Sequence, residues 1–143
     1  MNDLIKAKEV LENGAFTCVL VNGDEVISFS ERGVKPLLAL LSQSKSLESF
    51  CAADKVVGKA AAFLYLLLGV KKLHALVISK HALALLRENG ICVSYDTLVP
   101  MIRNRTDTGF CPMEQATMNC ASPEEALSAI KETLKKLNAR RKI

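Results

Sequence analysis

Three groups of residues in this chain carry chemistry that a core does not need: Asp54, Lys55 and Lys59; Cys111 and Glu114; Ser79 and His81. The first group stands at the front of the run from Ala53 to Leu68, in which every residue after Lys59 is apolar or aromatic. On a helical wheel Val57, Ala60, Ala61, Leu64, Leu67 and Leu68 share a broad face, and Tyr65 and Leu66 make the last turns apolar almost all round. That periodicity predicts a buried helix over 53–68 with its charge at the N-terminal mouth. Free backbone N–H groups and the helix dipole favour an anion at such a mouth. Lys55 and Lys59 are therefore expected to hold an anionic or carbonyl-bearing ligand, and Asp54 to orient it or move a proton. The plainer alternative makes Asp54 a cap and the lysines solvated.

Cys111-Pro112-Met113-Glu114 opens a short helix, with Pro112 where a first helical residue can lack its N–H. Thiol and carboxyl stand three residues apart, on one face. This is the spacing of a nucleophile with a neighbouring acid, so Cys111 is the expected reactive group and Glu114 a second proton-handling carboxyl. A small buried cysteine is the competing reading. Ser79-Lys80-His81 leads another helix, and Ser79 and His81 complete the expected ligand contacts, although a lone histidine there also serves as an ordinary helix-end residue. Gly58 inside a helix costs about 1 kcal/mol relative to Ala, which close approach of another backbone or a ligand would explain. Gly58-Lys59 lacks the earlier glycine and the context of a phosphate loop.

The elements that must position these groups can be read in order. Asn2 or Asp3 caps a helix carrying Leu4, Ala7, Val10 and Leu11, stopped by Asn13-Gly14. Phe16 to Val21 and Glu25 to Phe29 are β-rich runs joined by Asn22-Gly23-Asp24, a strong hairpin signal. Val34, Leu37, Leu38 and Leu41 make a helical face behind Pro36, and 42–49 is a polar connection to the central run. Leu73 to Ser79, His81 to Glu88 and Ile91 to Ser94 read as strand, helix and strand, a crossover that implies parallel strands. After Tyr95 comes a short strand or turn, with a polar loop over 103–109. Ser122-Pro123-Glu124-Glu125 is a capping box for a last helix faced by Leu127, Ile130, Leu134 and Leu137.

Composition narrows the function classes. The chain has 143 residues, the length of one domain, and no repeat or linker divides residues 1–143. Half the residues are apolar, only 5% are aromatic and none is Trp, which argues against base-stacking platforms and so against nucleic acid. The net charge of +4 gathers in Lys135, Lys136, Arg140, Arg141 and Lys142, where cations complement a helix C-terminus. The five cysteines show no paired spacing, so reduced thiols in a cytoplasmic protein are expected. Cys-x-x-Cys and His-x-x-Cys pairs are absent, and no metal or other cofactor is expected. Neither a signal peptide nor a membrane span is expected, because the start lacks a basic region and Ala60 to Val70 is too short to cross a bilayer.

The order helix, hairpin, helix, strand, helix, strand, helix over residues 4–99 resembles the cytidine-deaminase-like fold. That resemblance implies zinc ligands leading two adjacent helices, at Ala53-Asp54-Lys55 and Ser79-Lys80-His81-Ala82, but the His-Ala-Glu and Pro-Cys-x-x-Cys motifs are both missing. A zinc-dependent cytidine deaminase is therefore not expected. More narrowly, Asp54-Lys55-Val56-Val57-Gly58-Lys59-Ala60-Ala61, Ile78-Ser79-Lys80, Val93-Ser94-Tyr95 and Gly109-Phe110-Cys111-Pro112-Met113-Glu114 resemble an uncharacterised bacterial and archaeal family that keeps this fold without the zinc ligands. The resemblance implies a fold and no reaction.

The expectation is an α/β protein: a three-layer helix/sheet/helix sandwich with a central mixed sheet of cytidine-deaminase-like topology. It is expected to bind, or to act on, a small anionic or nucleotide-like molecule where the central helix and the Ser79–His81 helix begin, with Cys111 to Glu114 folding over the site. Self-association is left open. The alternative is a non-catalytic binding or assembly module on a degenerate enzyme fold. Convergence of Asp54, Lys55, Cys111 and Glu114 in space distinguishes the two.

Overall fold

The computed structural model describes residues 2–31, 33–43, 46–103 and 111–141, with the side chains of 139–141 left aside. The expected loop over 103–109 lies outside them except for Arg103, and Gly109-Phe110 likewise.

Helix α1 (Asp3–Asn13) starts at Asn2, whose Oδ1 accepts from the Leu4 N–H at 2.8 Å. Strands β1 (Cys18–Asn22) and β2 (Glu25–Phe29) form the expected hairpin, with Asn22 opposite Glu25 and Gly23 at φ 59°, a conformation glycine adopts without strain. Then follow α2 (Lys35–Ser42), β3 (Cys51–Val57), α3 (Lys59–Leu68), β4 (Lys72–Ser79), α4 (Lys80–Glu88), β5 (Cys92–Val99), α5 (Pro112–Thr117) and α6 (Pro123–Arg141). Ser122 Oγ accepts from the Glu125 N–H at 3.2 Å, which is half of the expected capping box; Glu125 Oε2 reaches the Ala121 N–H instead of that of Ser122, at 3.5 Å.

The five strands form one mixed sheet in the order β2-β1-β3-β4-β5. β1 is antiparallel to both neighbours, while β3, β4 and β5 are parallel. Alternation divides β1 between two cores: Val19 and Val21 meet Ala7 and Leu11 of α1, while Cys18 and Leu20 meet the helices of the other face. On that other face lie α2, α3 and α4, each a crossover between parallel strands, with α5 and α6 packed onto α3. Burial on every side explains why residues 60–65 of α3 are all buried.

The structure differs from the sequence reading over 53–68, which is not one helix. Residues 51–57 are the central strand, and only 59–68 are helical. The alanines that favour a helix are here buried between two layers, where small side chains let α1 and α3 close on the sheet. β1 and β4 satisfy the backbone of β3 from both sides, and that pairing outweighs a propensity of a few tenths of a kcal/mol per residue. Gly58 is the N-cap of α3 instead of an interior residue, and so escapes the helical penalty. Strand β5 also runs five residues beyond the expected Ser94, paired with β4 throughout.

Candidate functional site

α3 and α4 begin side by side at the carboxyl ends of β3 and β4, and the carboxyl group of Glu114 lies between their starts. Glu114 is 1% exposed. Its Oε1 accepts from the Lys59 N–H at 2.5 Å, its Oε2 from the Ile102 N–H at 2.8 Å, and Ser79 Oγ makes a longer contact to Oε1 at 3.5 Å. Ser79 Oγ also caps α4 by accepting from the Ala82 N–H at 3.2 Å. The sequence predicts an anion at the mouth of the central helix, and a carboxyl group of the chain itself stands there.

Gly58 makes this possible. A β-carbon at that position would lie 3.1 Å from Ile102 Cγ1 and 3.2 and 3.3 Å from the two Glu114 oxygens. The backbone is extended there (φ −95°), so the demand is for space alone. Gly58→Ala is expected to cost about 1–2 kcal/mol, from the displaced carboxyl and the poorer N-cap together. A denaturation midpoint equal to that of the parent would show that the carboxyl can move aside freely.

Lys59 is engaged at both ends. Its N–H serves Glu114, while its Nζ donates to the Met118 carbonyl at 2.7 Å and lies 5.7 Å from the Phe63 ring centroid. α5 is thus tied to the start of α3 by a carboxyl in one direction and an ammonium in the other. Cys111, the N-cap of α5, is half-buried, and its N–H donates to the Ile102 carbonyl at 2.9 Å. Lys55 and His81 are exposed.

Asp54 belongs to a second cluster. It sits directly opposite Cys18 across β1 and β3, and Tyr65 of α3 reaches down to both. The Tyr65 hydroxyl donates to Asp54 Oδ2 at 2.6 Å and lies 3.2 Å from Cys18 Sγ, while the Val56 N–H donates to Asp54 Oδ1 at 3.2 Å. Burial pushes the Asp54 carboxyl up to about 6, against the opposing pull of the Tyr65 hydroxyl and the Val56 and Lys55 N–H groups. Burial and then the Asp54 charge raise the Cys18 thiol and the Tyr65 phenol well above their ordinary values.

The predicted residues therefore fall into two sets. Glu114, Ser79 and the Lys59 backbone meet at the α3–α4 junction; Asp54 meets Cys18 and Tyr65, which the sequence reading did not select. One signal was available for Tyr65: a phenol in an otherwise apolar helix needs a polar partner when buried. Among the described residues no three His, Cys, Asp or Glu side chains are grouped to hold a metal ion. Open concavities of about 410 Å³ beside Gly69 and about 540 Å³ beside Gly14 are lined by neither Asp54 nor Glu114.

Both clusters fall inside residues 6–134, which match the family described as TM1506, Domain of unknown function (DUF1893). The chain belongs to the DUF1893 family. A solved DUF1893 structure, TM1506 from Thermotoga maritima, is 31% identical, with a TM-score of 0.82 over 92% of this chain and 90% of that one. No curated protein matches. The narrower resemblance seen in the sequence, to an uncharacterised family, is thus to DUF1893, and the shared fold is a mixed α/β one with a five-stranded sheet. No helix among the described residues is long and apolar enough to cross a membrane.

Proposed function

We propose that this DUF1893 domain binds a small anionic or nucleotide-like molecule at the carboxyl edge of its sheet, on a cytidine-deaminase-like topology without zinc chemistry. The observation that carries this reading is the Asp54–Tyr65–Cys18 cluster, a buried acid poised near neutral pH beside β1, the strand that runs against the other four. Ligands of open α/β sheets collect outside the carboxyl ends of the parallel strands, where α2, α3 and α4 all begin. The Lys55 N–H donates to the Thr17 carbonyl at 2.9 Å and the Thr17 N–H to the Phe29 carbonyl at 2.7 Å, so the ends of β2 and β3 flank the start of β1 at this edge. The start of α2, at Val34, has no side-chain cap. Exposed Lys55 supplies the positive charge and Asp54 the proton, while Ser79, Glu114 and the Lys59 N–H are closed off in the α3–α4 junction. The residues do not fit the deaminase zinc, because the ligand motifs are missing and, among the described residues, no three-ligand group stands in their place.

Two observations favour the competing module without chemistry: Asp54 and Glu114 stand in separate clusters instead of converging, and the Glu114 carboxyl fills the α3–α4 junction. Thermal unfolding separates the two readings. Inorganic phosphate or a nucleoside monophosphate at a hundredfold excess over its Kd should stabilise the protein by about 2.7 kcal/mol, several degrees in Tm. Lys55→Ala should keep the parent Tm and abolish that shift. Lys59→Ala should lower the Tm by itself, because it releases the Met118 carbonyl. No shift in the parent, or an equal shift in Lys55→Ala, would leave the edge as a structural surface.

A further inference from the structure

The α1 face of the sheet gathers a third set of polar side chains, separate from both clusters above. β4 and β5 pair with His74 opposite Ser94, and Asp96 stands two residues further along β5, on the same face as Ser94. α1 covers β1, β3 and β4. His74 is 3% exposed, whereas Ser94 and Asp96 are open to solvent. His74 Nδ1 lies 2.7 Å from Ser94 Oγ, and Nε2 lies 3.2 Å from Asp96 Oδ1. Nε2 is buried without an aligned hydrogen bond, so the Asp96 carboxylate acts on it through charge.

That charge decides the tautomer. A lone pair on Nε2 would face a carboxylate oxygen and be repelled, whereas an N–H there is attracted. The neutral ring therefore carries its proton on Nε2, which leaves Nδ1 as an acceptor and makes the Ser94 hydroxyl the donor. This is the arrangement of a nucleophile, its general base and the group that orients the base, recognised by roles and not by position in the chain.

We propose that Ser94 is a nucleophilic serine, activated by His74 and oriented through it by Asp96, that accepts acyl or phosphonyl groups from small activated esters at the open face of β4 and β5. Ser94 Oγ attacks the acyl carbon, the Oγ–C bond forms and the carbon–oxygen bond to the leaving group breaks. The Oγ proton passes to His74 Nδ1 and from there to the departing oxygen. The charged groups that face His74 are Lys8 and Glu12 of α1 and Asp96 of β5; on the β3 side its neighbour is Ala53. Burial and the Lys8 charge hold the imidazole below its ordinary 6.5, against Asp96 and Glu12, so the base form is available at neutral pH.

The test is labelling of the intact protein with a fluorophosphonate, whose phosphorus bonds to Oγ as fluoride leaves. Peptide mapping should place one adduct on Ser94, absent from Ser94→Ala. Asp96→Asn, a change at an exposed side chain, should slow labelling roughly tenfold or more. The labelling rate should be flat at neutral pH and fall with a single protonation below 6.5. An unlabelled Ser94 in the folded protein overturns the proposal. So does labelling whose rate is indifferent both to Asp96→Asn and to pH, since a hydroxyl that is merely exposed would react in that way.

Discussion

Replacing Glu114 with alanine is expected to destabilise the domain by about 3–5 kcal/mol, a large share of the 5–15 kcal/mol that holds a typical domain together. The carboxyl serves the first N–H of α3 and the Ile102 N–H, and it touches the Ser79 hydroxyl. At 1% exposure no water replaces it without entering the core. Removing it leaves backbone donors unsatisfied, each costing about 1–3 kcal/mol, and uncaps the helix around which the core is built. Glu114→Gln should cost less, because its carbonyl oxygen still serves one N–H while its amide opposes the other. Formate or acetate should restore part of the alanine variant's Tm in proportion to concentration, and chloride at equal ionic strength should not. Such rescue would also mark the α3–α4 junction as a place able to hold an external anion. An alanine variant within about 0.5 kcal/mol of the parent in denaturant would refute the argument.

Asp54→Asn should work in the opposite direction. A carboxyl whose ordinary value of 3.8 is pushed to about 6 by folding makes its charged form a burden at neutral pH. At 1.36 kcal/mol per pH unit that burden is about 3 kcal/mol. The amide removes the charge and keeps the contacts: its oxygen accepts from the Val56 N–H, its NH2 donates to the Tyr65 hydroxyl, and that hydroxyl turns to donate to Cys18 Sγ. The variant should therefore exceed the parent by up to about 3 kcal/mol near pH 7.5. Because the folded value is raised, the parent gains stability as pH falls from about 7 towards 4, so the gap should narrow to about 1 kcal/mol near pH 4.5. His74, whose value is lowered, loses stability over part of the same range, and the comparison at each pH removes its contribution because both proteins carry it. Denaturant midpoints at the two pH values decide the matter. A variant no more stable than the parent at neutral pH, or a gap that does not narrow, would mean that Asp54 is not a strained acid. The same strain gives Asp54 its proposed role, because a carboxyl near 6 exchanges its proton at the acid edge of the neutral range.

Local signals were sufficient wherever a structure depends on a few adjacent residues. Asn2 as a cap, the turn at Gly23, Pro36 in the first turn of α2 and Ser122 before α6 were legible because each depends on the conformation of a few adjacent residues. The parallel arrangement of β4 and β5 followed from strand, helix and strand in sequence, since short crossovers permit little else. The chemistry of the helix mouth was legible as a need, because free N–H groups call for an anion whatever supplies it.

Tertiary structure decided which residues met those needs. Glu114 reaches Lys59 across 55 residues of chain, and nothing near either one names the other. Residues 53–57 become a strand because β4 pairs along their whole length while β1 and Thr17 take up Ala53, Asp54 and Lys55 on the other side. Tyr65 reaches Asp54 through the packing of α3 on the sheet, whereas Asp54 finds Cys18, and His74 finds Ser94 and Asp96, because sheet register brings those strand side chains together. Register is a property of the assembled sheet: a slip of one residue would turn every one of these side chains to the other face. The sequence by itself determined the caps, the hairpin, the β4–α4–β5 crossover and the demand for a negative group at a helix start; the packed sheet decided where β3 ends and α3 begins and which residues became partners, because those contacts join residues whose separation along the chain carries no signal.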